Sequence, residues 1–153
     1  MSNPFGNLSK LKVDASDLVE YTLYQLEGEP TIRCRIAGEA NRPYYTALLK
    51  MSARLAKRLR GRDADAKTLR ESRSYDVTLF PKHVIDGWDD DKAPIGVDGE
   101  RVPYTQKDAA SFVESLAEFA PDVFDEWRTY VSQTANFRPD EPTKEDGKDL
   151  GER

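Results

Sequence analysis

One cysteine, Cys34, and one histidine, His83, stand in a chain of 153 residues. A lone thiol excludes an intrachain disulfide and a multi-thiolate zinc site, and a lone imidazole leaves any triad or metal site dependent on partners of other kinds. Runs of about 18 apolar residues are missing, so no membrane helix is expected. The first dozen residues also have no basic segment leading into an apolar stretch, so the chain reads as cytoplasmic. Glycine-rich phosphate loops and nucleophile elbows are likewise missing, which argues against an enzyme. At 17.4 kDa the chain fits one domain, long enough to bury roughly 70% of the surface its unfolded form exposes. Neither cofactor nor metal is expected.

What is present is strongly polarised charge. Residues 50–73 hold nine basic against three acidic side chains, and residues 74–153 hold nine against nineteen. General nucleic-acid binding needs an accumulated row of phosphate contacts, which a mainly acidic chain does not supply. The basic segment leaves a local contact open.

The pattern predicts an α+β fold: an N-terminal β-hairpin packed on a mainly helical body, with residues 1–12 a flexible arm, 13–137 a single globular domain and 138–153 a disordered acidic tail. Val19, Tyr21 and Leu23 alternate with polar residues, as do Ile32, Cys34 and Ile36, and Glu27-Gly28-Glu29-Pro30 supplies the turn between them. Asn41 is a candidate cap for a helix over about 43–60, with Tyr44, Leu48, Met51, Leu55 and Leu59 on one face and Gly61 as its stop. A weaker helical segment covers 67–74. Val77 to Trp88 reads as either strand or helix, broken once by Pro81. Asp98-Gly99 predicts a two-residue hairpin turn in which both positions take positive φ. Thr105 and Asp108 cap a helix over 106–120 whose Phe112, Leu116 and Phe119 are expected to be buried, and a further helix over 122–136, begun by Pro121, contributes Trp127. Beyond Arg138 only Leu150 could anchor the chain, which is too little burial to offset ordering.

Few groups carry chemistry. His83 could work with Asp76 or Asp86, but a half-buried structural histidine is the simpler reading. Cys34 belongs on the apolar face of its strand, with Arg33 and Arg35 on the other. Asp89 to Glu100 spans the twelve positions of a calcium loop, yet Ala93 and Pro94 stand where that loop wants an oxygen ligand and a glycine. Lys50, Arg54, Lys57 and Arg58 form a basic stripe on the helix over 44–60, read first as its solvated face and otherwise as a docking surface for acidic protein or nucleic acid.

The order His83-Val84-Ile85-Asp86-Gly87-Trp88, a run of acids, Asp98-Gly99-Glu100, Val102-Pro103-Tyr104-Thr105, a helix with Ala109 and Phe112, the step Phe119-Ala120-Pro121 and finally Ala135-Asn136-Phe137 resembles the tail assembly chaperones of long-tailed bacteriophages. The resemblance covers 83–137. It implies a non-enzymatic protein of the host cytoplasm that binds the tape-measure protein and keeps it soluble until the tail tube polymerises, with the tail-tube protein a second possible partner. It also makes Trp88 and Tyr104 candidate partner contacts, beside Lys50, Arg54, Lys57 and Arg58. Two other readings stay open at this point: a phage structural component such as a head-to-tail connector or tail-completion protein, and a small DNA-binding regulator using the basic helix.

Overall fold

Alternating apolar residues pair β1 (Val19–Thr22) with β2 (Thr31–Cys34) in an antiparallel hairpin, Val19 opposite Cys34 and Thr22 opposite Thr31. This computed structural model describes residues 3–58 and 66–138. The expected disordered tail after Arg138, and the expected helix end at Leu59 to Gly61, lie outside the described residues. A third strand, β3 (Ile85–Gly87), adds antiparallel to β2, so the sheet order is β1-β2-β3. Helices α1 (Arg42–Arg58), α2 (Ala66–Leu79), α3 (Gln106–Phe119) and α4 (Pro121–Val131) complete an α+β fold.

Asn41 does more than cap α1. Its Oδ1 accepts from the Tyr44 N–H at 3.4 Å, while its Nδ2 donates to the carbonyls of Ile36 at 3.0 Å and His83 at 2.8 Å. A buried amide with three partners ties the end of the hairpin, the start of α1 and the segment before β3 together. Along α1, Tyr44 is buried and Ala47, Leu48 and Met51 pack against the core.

The stretch over 67–88 departs from expectation. α2 continues to Leu79, five residues beyond the expected end, and Phe80 to Val84 forms a wider helical turn closed by the Ile85 N–H donating to the Phe80 carbonyl. Pro81 lacks the N–H an α-helix would use and its ring crowds the preceding turn, so the helix widens there rather than stopping. The inward face of α2 was hidden because one of its buried positions is Asp76, a charged residue. Asp76 is held by the Tyr44 hydroxyl at 2.7 Å and by Arg128 Nε at 2.8 Å, while Arg128 and Arg73 both grip Asp125. This network joins α1, α2 and α4.

Trp127 sits at the centre of the core with no exposed surface. Phe80, Phe124 and Phe112 surround it at ring-centroid distances of 5.4, 6.0 and 6.4 Å, and Tyr21 stacks on it from β1 at 6.1 Å. Its Nε1 donates to Cys34 Sγ at 3.4 Å. Full burial pushes that thiol up to about 12, as expected for a core cysteine rather than a nucleophile.

α3 carries a correction. Ala109, Val113 and Leu116 are buried and Phe112 is half-buried, but Phe119, expected in the core, is 79% exposed. At about 100° per residue the buried face centres on Ala109, Val113 and Leu116, and Phe119 projects about 80° to one side of Ala109.

Candidate functional site

The residues that follow β3 build one wall of an apolar groove. Trp88 is buried and its Nε1 donates to the Val102 carbonyl at 2.8 Å. Between them the chain doubles back: Ile95 bridges to Arg101, the Gly96 N–H donates to the Glu100 carbonyl at 2.8 Å, and the Gly99 N–H to the Gly96 carbonyl at 3.0 Å. Only Gly99, at φ 82°, takes positive φ in this turn. The expected two-residue hairpin is therefore replaced by a longer turn that needs one left-handed residue and projects Val97 fully into solvent.

Arg101 pins this loop to the body. Its guanidinium donates to the Ala93 carbonyl at 2.7 Å and reaches the Gly28 carbonyl at 3.2 Å in the β1–β2 turn. Gly28 has φ 78°, and a Cβ there would stand 2.7 Å from Ile95 Cγ1. The loop is thus seated on a turn that admits only glycine without rearrangement.

The opposite wall is α3, set at its start by the Thr105 hydroxyl accepting from the Asp108 N–H at 3.0 Å. Between loop and helix lies an open cavity of about 370 Å³, floored by Trp88 and Phe112 and flanked by Pro94, Val97 and Val102. A second cavity of about 260 Å³ continues it toward Leu26 and Ala120, sharing Ile95, Phe112, Ser115 and Phe119. Phe119 and Val97 are thus the exposed lips of a continuous apolar trough. Its border is acidic: Asp108 lines it, Asp98 and Glu100 lie exposed in the turn, and Glu118 lies exposed beside Phe119.

The residues singled out by sequence fall in two places. Trp88 and Tyr104 meet edge to face at 5.1 Å, Trp88 as the buried floor of the groove and Tyr104 half-buried behind it. Lys50 is exposed on α1, away from the groove lining. Arg54, Lys57 and Arg58 belong to the same helix, but their side chains are outside the described residues. Arg73, part of the same basic segment, is engaged with Asp125 within the chain.

The carboxylates weighed as partners of His83 are engaged by other side chains. Asp86 is bound by Arg33 at 3.3 Å and Arg35 at 2.7 Å, and Asp76 by Tyr44 and Arg128. Desolvation, with Lys82 beside it, holds the His83 imidazole below its ordinary value. Asp89, first of the twelve loop positions, is paired with Arg33 at 2.6 Å.

Sequence reasoning placed Phe119 in the core and gave Val97 and Ile95 no role, whereas Phe119 and Val97 are exposed at the groove. Val97 beside the Asp98-Gly99 turn was the available signal, an apolar residue at a turn tip where a polar one is usual. No helix among the described residues is long and apolar enough to cross a membrane. No protein-family model, curated protein or solved structure matches the chain.

Proposed function

We propose that this protein is a tail assembly chaperone of a long-tailed phage, a non-enzymatic binder that holds apolar helical stripes of the tape-measure chain until the tail tube assembles around it. The observation that carries the reading is the open apolar groove between the 94–102 loop and α3, with Phe119 and Val97 exposed at its lips. Helix-in-groove recognition needs a concave apolar surface with a polar border, which this site supplies. The segment that builds the groove, Trp88 to Phe119, lies within the 83–137 stretch whose motif order resembles the chaperones. Its acidic border favours client helices whose apolar stripe is flanked by Lys or Arg.

Co-expression with the tape-measure chain from the same phage genome tests the proposal. The expected result is co-purification and a larger soluble fraction of the tape-measure chain. Insolubility unchanged by this protein, with no complex recovered, would reject it. The DNA-binding alternative predicts instead that reversing Lys50, Arg54, Lys57 and Arg58 abolishes duplex binding, and that binding weakens by roughly a thousandfold between 50 and 200 mM salt.

A further inference from the structure

A second unpartnered apolar feature lies at the N-terminal end. Gly6 to Leu11 forms a 3-10 helix with no buried residue, preceded by Phe5. With three residues per turn, positions three apart eclipse one another, so Phe5, Leu8 and Leu11 form one stripe. Phe5 is 66% and Leu8 52% exposed. The turn is ordered locally: the Phe5 N–H donates to Asn3 Oδ1 at 2.9 Å and the Leu8 N–H to the Phe5 carbonyl at 3.0 Å. Its base is fixed by Arg138 Nε donating to the Leu11 carbonyl at 2.9 Å and by buried Val13.

We infer that the arm of one molecule docks in the groove of a second copy, the Phe5-Leu8-Leu11 stripe lying across Val97, Ile95 and Phe119. Three observations point to this occupant. Among the described residues stripe and groove are both apolar and both uncovered, since no arm residue lines either groove cavity. They lie at opposite ends of the hairpin: the arm leads into β1 at Val19, whereas the groove abuts Leu26 and Gly28 beyond the other end of that strand. Their charges are opposite, Lys10 and Lys12 on the arm with no acid between Asn3 and Val13, against Asp108 in the groove lining and the exposed Asp98, Glu100 and Glu118 that neighbour its lips Val97 and Phe119 in the chain. Such a contact joins two different surfaces and is heterologous, so it either closes as a reciprocal exchange of arms or propagates head to tail. The inference stands apart from the proposed client, because its test uses this chain alone.

The test is sedimentation of the full chain over a concentration series, with Phe5→Ser/Leu8→Ser as the arm variant and Val97→Ser/Phe119→Ser as the groove variant. All four side chains are exposed, and an unchanged Tm checks that each variant keeps its fold. The wild type is expected to rise above the monomer mass with concentration, and each variant to self-associate about tenfold or more weakly. Mixing the two variants restores one intact arm and one intact groove, and a heterodimer is expected to reappear. A wild type that stays monomeric into the millimolar range overturns the inference, including the case in which the arm folds onto its own groove. So does association that survives either variant, or variants whose mixture fails to associate.

Discussion

Phe112 and Phe119 lie about two turns apart on α3 and belong to different surfaces. Phe112 packs between Trp88 at 5.9 Å and Trp127 at 6.4 Å, whereas Phe119 stands mostly in solvent. Truncating Phe112 to Ala removes contacts with both tryptophans and is expected to cost about 3 kcal/mol. Phe119→Ala should cost under about 0.5 kcal/mol, as for other exposed positions. Urea unfolding of the two variants checks the pair, and equal losses would place Phe119 in the core after all. Cys34 offers a second residue-level check. Its folded thiol is raised to about 12 by burial, so its contribution to stability is whole below the unfolded thiol's pKa and fades as pH rises from there toward the folded value. The thiol should resist an aromatic disulfide reagent in the native protein at pH 8 and react at once in denaturant. Rapid native labelling would contradict its place beneath Trp127.

At the scale of elements, the junction of α2 and α4 rests on Asp125 between Arg73 and Arg128. The Arg73 hydrogen bond foremost, and then Arg128, hold the Asp125 carboxyl below its ordinary value. A lowered folded pKa means the unfolded chain binds the proton more readily. The stabilisation is therefore present above the unfolded value of about 3.9 and lost as pH falls through the folded one. Asp125→Asn should lower stability at neutral pH and flatten the acid limb of the stability profile, by a modest amount because the carboxylate is 38% exposed and screened. A steeper acid limb in the variant would reverse the sign argued here. The same elements mark how far sequence reading carries. The hairpin, α1, α3 and the start of α4 were legible because apolar spacing and capping residues agree, as at Asn41 and Thr105, but α4 ends at Val131, short of the expected 136, and a separate 3-10 turn follows over Thr134–Phe137. The end of α2 and β3 were not legible. A buried carboxylate breaks the apolar period at Asp76, Pro81 mimics a stop, and a three-residue strand has too few side chains to alternate.

At the scale of the whole molecule, the groove exists only because distant segments meet. Arg101 and Ile95 seat the loop on Gly28, Trp88 holds Val102, and α3 approaches from the other side. No local pattern announces such a meeting, although Trp88, α3 and a turn at Asp98-Gly99 were each visible beforehand, the turn as a shorter hairpin than the one that forms. The turn at Gly28 gives the assembly a testable keystone. Gly28→Ala places a Cβ against Ile95 at a left-handed φ, and should lower stability by about 1 kcal/mol or more while loosening the loop. Thermal unfolding measures the first effect, and faster amide exchange at Gly96 and Val102 measures the second. Unchanged exchange would mean the loop is not seated on that turn.

The central proposal is that the apolar groove, and not the basic helix, is the docking surface for a tape-measure client. The most direct measurement is the affinity of a purified tape-measure segment for the wild type, for Val97→Asp/Phe119→Asp, and for a variant with Lys50, Arg54, Lys57 and Arg58 reversed to Glu, each at low and moderate salt. Placing carboxylates on the apolar lips should weaken binding about tenfold or more, while charge reversal on α1 leaves it nearly unchanged and wild-type binding survives the added salt. Full affinity in the groove variant, with loss on charge reversal and a steep salt dependence, would contradict the account.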